Sequence, residues 1–329
     1  MHCTASLICR SILLLGMSTL SLIWVPGQWQ VPTVAFAHRV DEPQEAQQVA
    51  TSRAVPPHRR LRGIEPDVQD GQKLYAATPQ GLLLSPDGGL SWQPLPVAQT
   101  HAEVFAFAVH PKQAATLFVG RADGVWKSAD HGHTWHSMVV PGSVPLALRI
   151  AESQPQMLYL ATARHGVLKS LDGGQRWHEI NHGLPAARAG KRLEEVNGLA
   201  VDPTDPNTVY ATIPRQGVYR TLDGGQHWHP FNPRLPLPMA GSLTLPKLVF
   251  AAGTPPRLYL AFNELMHSHL MRTRLYVLSE NQEWLPVEVE LPENFPLRGI
   301  VADRAKHMLQ LWGPELVWEV SLSGTGNSH

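Results

Sequence analysis

The chain has 329 residues, which is enough for one large domain or two ordinary ones. It carries 27 basic and 27 acidic residues, so its formal net charge is zero when histidine is neutral. A balanced charge excludes a global field that would attract nucleic acid or an anionic membrane surface. Any electrostatic preference for a partner must therefore be local.

The first 37 residues have the composition of a secretory signal peptide. Arg10 supplies a small positive region, residues 11–25 form an apolar run, and Ala35-Phe-Ala37 is a small-residue cleavage site. The apolar run is shorter than the roughly 20 residues that a membrane-spanning helix needs. We therefore predict an exported protein, extracellular, in the cell envelope or in a lumen, without stable membrane insertion after cleavage. An uncleaved anchor is the alternative.

Residues 38–60 are rich in Gln, Glu, Pro and Arg and show no apolar periodicity. Such a composition cannot bury enough surface to offset the entropy lost on ordering, so we predict a disordered linker. The tail at 323–329 is interpreted in the same way, which leaves a folded domain at 61–322. Both cysteines, Cys3 and Cys9, precede this domain, so no disulfide is predicted in the mature chain.

Four copies of one phrase, Ser/Thr-x-Asp-x-Gly-x-x-Trp, recur in the domain; we call them the Asp turns. Successive copies stand roughly 40 to 50 residues apart, which is the length of one four-stranded propeller blade. Their aspartates are Asp87, Asp130, Asp172 and Asp223, and their tryptophans are Trp92, Trp135, Trp177 and Trp228.

Each repeat reads as four short strands. An apolar strand is followed by a strand with an aromatic residue, a glycine turn and a third strand, and the tryptophan then opens a fourth. Short strands separated by turn signals predict a β-propeller. An Asp-Gly pair between strands favours a tight turn whose amides bond to the carboxylate. We therefore predict a structural role for the four aspartates and tryptophans.

Two further units lack the Asp turn. One ends at Trp284, and the other begins with Leu297-Arg-Gly-Ile, which mirrors Leu61-Arg-Gly-Ile at the start of the domain. The last unit has no closing strand of its own. We predict an all-β propeller of six four-stranded blades, with seven as the alternative. Residues from the amino-terminal segment are expected to complete the last blade, because closure removes exposed edges.

The repeated phrase resembles the Asp-box, or bacterial neuraminidase repeat, and residues 61–322 resemble that propeller superfamily. The superfamily includes sialidases, sortilin-type receptors and photosystem II stability/assembly factor propellers, so the resemblance implies a fold and leaves function open. A sialidase would need an arginine triad, a tyrosine nucleophile with its glutamate, and an aspartate acid/base. The first blade lacks the family's Arg-Ile-Pro phrase, Leu148-Arg149-Ile150 being the nearest echo. Only Tyr219 and Tyr276 remain as candidate nucleophiles.

The compact units resemble the photosystem II assembly-factor branch more than the sialidases. That resemblance implies a partner polypeptide held by an arginine-rich patch. We expect a non-catalytic, exported scaffold that binds a protein or an acidic peptide segment. A sialidase-like glycoside hydrolase or a glycan-binding propeller is the alternative. No cofactor, metal or nucleic-acid partner is predicted, and the chain is expected to be a monomer.

A basic rim is the candidate binding site. Turns between second and third strands share one propeller face with the connections between blades, and cations recur in three such turns and in the longest connection. Arginine recognises carboxylates in a planar, bidentate way. The alternative is that these are solvated loop cations, partly offset by Glu194 and Glu195. The six cations are Arg121, Arg164, Arg215, Arg188, Lys191 and Arg192.

Overall fold

The computed structural model divides into two compact units, Met1–Glu45 and Ala46–His329. The first contains an antiparallel hairpin of β1 (Ile23–Val25) and β2 (Gln28–Gln30). The rest of the predicted signal segment and the predicted tail lie outside the described residues. The structure describes residues 23–25, 28–30, 51–54, 61–67, 69–97, 102–140, 142–186, 194–214, 216–233, 235, 244–265, 271–289, 291–292, 295–303, 307–313 and 316–322. Within these ranges, no helix is long and apolar enough to cross a membrane.

The second unit consists of six antiparallel sheets of four strands each, arranged as a β-propeller, as the repeat predicts. It begins with β3 (Thr51–Ala54), which belongs to the last blade. Blade one contains β4 (Gly63–Pro66), β5 (Leu74–Thr78), β6 (Gly81–Ser85) and β7 (Gln93–Leu95). Blade two contains β8 (Val104–Val109), β9 (Leu117–Arg121), β10 (Gly124–Ser128) and β11 (His136–Met138). Blade three contains β12 (Pro145–Ile150), β13 (Leu158–Thr162), β14 (Val167–Ser170) and β15 (His178–Glu179).

The remaining blades follow the same order of strands from the axis outward. Blade four contains β16 (Gly198–Val201), β17 (Val209–Ile213), β18 (Gly217–Thr221) and β19 (His229–Pro230). Blade five contains β20 (Thr244–Ala251), β21 (Arg257–Leu265), β22 (Met271–Leu278) and β23 (Trp284–Val287). Blade six contains β24 (Gly299–Asp303), β25 (Met308–Trp312), β26 (Leu316–Ser321) and, as its fourth strand, β3.

The ring is closed by pairing the two ends of the unit. Strand β3 runs antiparallel to β26 in a register from Leu316 opposite Ala54 to Glu319 opposite Thr51. The predicted amino-terminal closure of the last blade is thus confirmed. The closing strand comes from within residues 38–60, whose composition predicted a linker.

Packing between blades explains the apolar runs of the second strands. All residues of β5, β9, β13 and β17 are buried, because each sheet is covered by a neighbouring blade on both faces. The short fourth strands β7, β11, β15 and β19 are mostly exposed at the outer edge. In the seam between blades five and six, Trp318 of β26 packs against the cluster that the two blades share. In each of the other five seams, a tryptophan that lies at or next to the start of the later blade's fourth strand packs against the shared cluster. These residues are Trp92, Trp135, Trp177, Trp228 and Trp284.

The four Asp turns have one hydrogen-bonding scheme. The Ser or Thr hydroxyl donates to the aspartate Oδ1 at 2.7 to 2.9 Å and accepts from the second glycine's amide at 2.8 to 2.9 Å. The same Oδ1 accepts the amide four residues later at 2.8 to 3.0 Å. In the first turn, hydrogen bonds from Ser91 lower the pKa of Asp87 to about 2. The aspartates are therefore occupied within their own turns.

Ser170→Ala is expected to reduce the free energy of unfolding by about 1 to 3 kcal/mol, because the buried Gly174 amide would lose its only acceptor in the turn scheme. The urea midpoint measures the effect. The matched control is Ser137→Ala at an exposed position of β11, which should change stability by less than about 0.5 kcal/mol. Equal midpoints for Ser170→Ala and the parent would contradict the structural role of the turn.

Candidate binding channel

Arg121 of the predicted basic rim is buried rather than presented to solvent. Its guanidinium donates to the Val97 carbonyl at 3.0 Å and to Asp123 Oδ2 at 3.2 Å, and it stacks over the Trp126 ring at 5.1 Å. Only 8% of the residue is exposed. Arg121 therefore connects the end of β9 to the preceding blade. It does not belong to the exposed binding rim.

Arg164 is exposed in the turn between β13 and β14, on the face where the sequence placed it. Its backbone amide is fixed by a 2.9 Å hydrogen bond to the Ser143 hydroxyl. The other four predicted cations, Arg215, Arg188, Lys191 and Arg192, lie outside the described residues.

The structure reveals a central channel that the sequence did not indicate. Its cavity has a volume of about 460 Å³ and is bounded by the first strand of every blade. These strands run in the same direction around the axis, since each blade repeats the same antiparallel order. One end of the channel, where the first strands begin, therefore shares a face with the blade-to-blade connections and with Arg164. We call this end the mouth.

One ring of equivalent positions in the channel holds small residues in five blades and a lysine in the sixth. The pairing of first and second strands identifies the ring. The second strand has one position that is aromatic in blades one to five, and each ring member lies opposite the residue two places after that position. Its members are Gly63, Ala106, Ala147, Gly198, Lys247 and Gly299. A side chain added at Gly63 would meet no atom within 4 Å, so this part of the lumen is open.

The next ring, two residues further along the first strands, contains an ion pair among apolar side chains. Arg149 Nη1 lies 3.6 Å from Glu65 Oε1, and Glu65 Oε2 accepts the Val109 amide at 2.9 Å. Glu65 thus connects blade one to blades two and three. The other members of the ring, Ala108, Ala200, Val249 and Val301, are apolar.

Lys247 is the most perturbed cation in the channel. Its Nζ donates to the Asn197 carbonyl at 3.3 Å, and the side chain is only partly accessible from the lumen. Burial, followed by the positive charges of Arg149 and Arg62, lowers its pKa from 10.5 to about 8. Among the described residues, no carboxylate forms an ion pair with it. Within the part of the chain that the structure describes, Lys247 is therefore an enclosed cation that no carboxylate pairs with.

The two ends of the channel differ in charge. At the mouth, Arg62 pairs with Glu103 and lies over the Phe105 ring at 5.4 Å, while Arg298 is exposed. At the opposite end, three carboxylates border the cavity. They are Asp67, Glu152 and Asp303.

The channel arginines lie in sequence phrases that are recognisable without the structure. Leu61-Arg62-Gly63-Ile64 and Leu297-Arg298-Gly299-Ile300 repeat one phrase, which places an arginine at the mouth in adjacent blades. Leu148-Arg149-Ile150 resembles part of a sialidase motif in sequence, and in the structure its arginine lies in the channel. Lys247 departs from a ring of small residues, a departure that becomes visible only after the first strands are aligned.

Tyr219 and Tyr276, the candidate sialidase nucleophiles, pack within the blades. Both are buried, and Tyr276 stacks on Phe262 with ring centroids 5.7 Å apart. Burial raises the pKa of both phenols. Within the described part of the chain, no tyrosine lines the channel cavity.

The fold and channel define a six-bladed β-propeller, and solved propellers resemble it. The GH74 enzyme from Niastella koreensis has a TM-score of 0.62 at 19% identity, covering 84% of this chain and 46% of that one. For the GH74 xyloglucanase from Xanthomonas campestris the TM-score is 0.57 at 17% identity, with coverages of 80% and 43%. YCF48 bound to D1 peptide has a TM-score of 0.52 at 13% identity, with coverages of 85% and 97%.

These similarities establish the propeller fold alone, because all three identities are below 20%. The chain spans less than half the length of the GH74 structures. No protein-family model matches the chain, and no curated protein does so.

Proposed function

We propose that this propeller is a non-catalytic scaffold that binds an acidic polypeptide segment at the mouth of its channel. The observation that carries the proposal is the charge at that end of a neutral protein. Four cations, Arg62, Arg149, Lys247 and Arg298, stand there against the carboxylates of Glu65 and Glu103. A local excess of positive charge on a rigid scaffold attracts carboxylates over several ångströms.

Two exposed arginines are suited to first contact with such a partner. Arg298 immediately precedes the first strand of blade six, and Arg164 extends from the same face of blade three. Exposed guanidinium groups bind carboxylates bidentately and need little desolvation. The likeness to YCF48 bound to D1 peptide supports the proposal only as a fold analogy, since that structure shows a propeller of similar size with a bound peptide.

The proposal predicts that Arg164→Glu/Arg298→Glu weakens binding of a fluorescent octaglutamate peptide at least tenfold, because two attractive contacts become repulsive. Fluorescence anisotropy at low and high salt measures it, and the affinity of the parent should fall with salt. The matched control is Arg176→Glu, which reverses an exposed charge in an Asp turn at the opposite face. Equal affinities for the double variant, the control and the parent would refute the proposed surface.

A glycoside hydrolase is the second candidate, because Asp67, Glu152 and Asp303 border the far end of the cavity and glycosidases require two carboxylates. Asp67 is already committed to local structure, since its Oδ1 accepts the amides of Gln69 and Asp70. Turnover of fluorogenic sialosides or of xyloglucan would favour this candidate over the scaffold. Export belongs to the proposal as well, and it rests on the signal-like composition of residues 1–37.

A further inference from the structure

Lys247 is the one charged side chain in its ring of six equivalent positions. The five equivalent positions are occupied by glycine or alanine, so the propeller does not need a long side chain there. The ammonium makes one hydrogen bond, to the carbonyl of Asn197, which lies just before the first strand of blade four. An enclosed charge without a counter-ion is costly and is usually retained for function.

The surroundings of Lys247 favour an added anion. Arg149 from blade three and Arg62 from blade one both repel its charge. Glu65 is shared between Arg149 and the Val109 amide, and Glu103 is paired with Arg62. With Arg298, these cations outnumber the carboxylates at the mouth end of the channel, whereas Asp67, Glu152 and Asp303 lie at the opposite end. An anion between Lys247 and Arg149 would relieve their repulsion.

The walls around these cations indicate an organic anion. Apart from Glu65, which pairs with Arg149, the remaining positions of the two rings are alanine, glycine and valine. A cavity of about 460 Å³ is in the size range of small-molecule sites. Such a lumen would accommodate a short carbon skeleton, whereas a fully hydrated inorganic ion would leave the apolar walls without contacts.

We propose that the channel is a binding site for a small organic di- or tricarboxylate, held by Lys247 and Arg149 inside the mouth. The site does not depend on the proposed polypeptide partner, since it lies within the lumen and the exposed arginines Arg164 and Arg298 are not needed for it. Carboxylate binding favours the charged form of Lys247, so the protein takes up protons when the ligand binds near pH 8.

The experiment is isothermal titration of the full chain with citrate, succinate and inorganic phosphate at pH 8. We expect citrate to bind more tightly than phosphate, and its binding enthalpy to differ between two amine buffers of different ionisation enthalpy. Lys247→Met should weaken citrate binding at least tenfold and abolish the buffer dependence. Circular dichroism and thermal melting confirm that each variant is folded.

A second variant tests the site without changing any charge. Gly63→Leu places a side chain into the open lumen, where an added Cβ would meet no protein atom within 4 Å. The fold should therefore tolerate the leucine, whereas the leucine should exclude the carboxylate. Arg164→Ala at the outer rim is the control and should leave citrate affinity unchanged. Absence of carboxylate binding, affinity insensitive to both channel variants, or phosphate binding as tightly as citrate would each overturn the proposal. Octaglutamate binding is unaffected by these outcomes, so the two proposals can fail separately.

Discussion

A chain that begins at Leu61 is expected to be less stable than one that begins at Ala46 by about 3 kcal/mol or more. The shorter chain lacks β3, so β26 loses the four paired residues of its outer neighbour and the ring has an open edge. Each lost backbone hydrogen bond contributes about 0.5 to 1.5 kcal/mol, and the unpaired edge also promotes association between molecules. Thermal melting should show a decrease of roughly 2 to 4 °C for each kcal/mol lost.

The chain beginning at Ala46 is the control, because it contains all residues of the second compact unit. A peptide of residues 46–60 added to the shorter chain should restore part of the lost stability and suppress association. If both chains melt at the same temperature, the pairing of β3 with β26 does not contribute to the folded state.

Lys247→Met is expected to stabilise the protein at pH 7 by about 1 to 3 kcal/mol. The substitution replaces an enclosed, unpaired charge by an apolar side chain of similar length. Urea unfolding without added carboxylate measures the change. Lys112→Met, at an exposed position, is the control and should alter stability by less than about 0.5 kcal/mol. A variant less stable than the parent would show that the ammonium is a structural contact.

The stabilisation by Lys247→Met should depend on pH in a defined direction. The pKa of Lys247 is about 8 in the folded protein and 10.5 ordinarily, so the unfolded chain binds more protons between these values. The free energy of unfolding of the parent is therefore lowered as pH falls through 8, where Lys247 becomes charged, and it recovers as pH rises towards 10. The difference in free energy of unfolding between Lys247→Met and the parent should accordingly decrease from pH 8 to about 10. A constant difference would contradict the lowered pKa.

Local repetition explains why the fold could be predicted. The Asp turns recur at blade spacing, and their Ser, Asp and Gly contacts are made within five residues, so sequence alone specifies them. The number of blades and the closing role of the amino-terminal segment followed from the degenerate units. The linker prediction for 38–60 depended on composition, which does not register a strand held by backbone pairing.

The channel could not be predicted, because its residues are distant in sequence and unremarkable one by one. Arg62, Arg149 and Lys247 come from blades one, three and five and meet only around the propeller axis. The prediction for Arg121 was wrong in the opposite way. A cation in a turn is expected to face solvent, but Arg121 is buried. Its contacts with Val97 and Trp126 are tertiary and leave no local signal in the sequence.

The pairing of β3 with β26 also dictates an order of events during synthesis. Thr51 is made before the strands of blades one to five and Glu319 after them, yet the two stand opposite each other in one sheet. Five blades can acquire all their strands before β26 has been made, whereas the sixth must wait for β26. Because contacts between distant segments form slowly, this last docking step is expected to limit the rate of maturation.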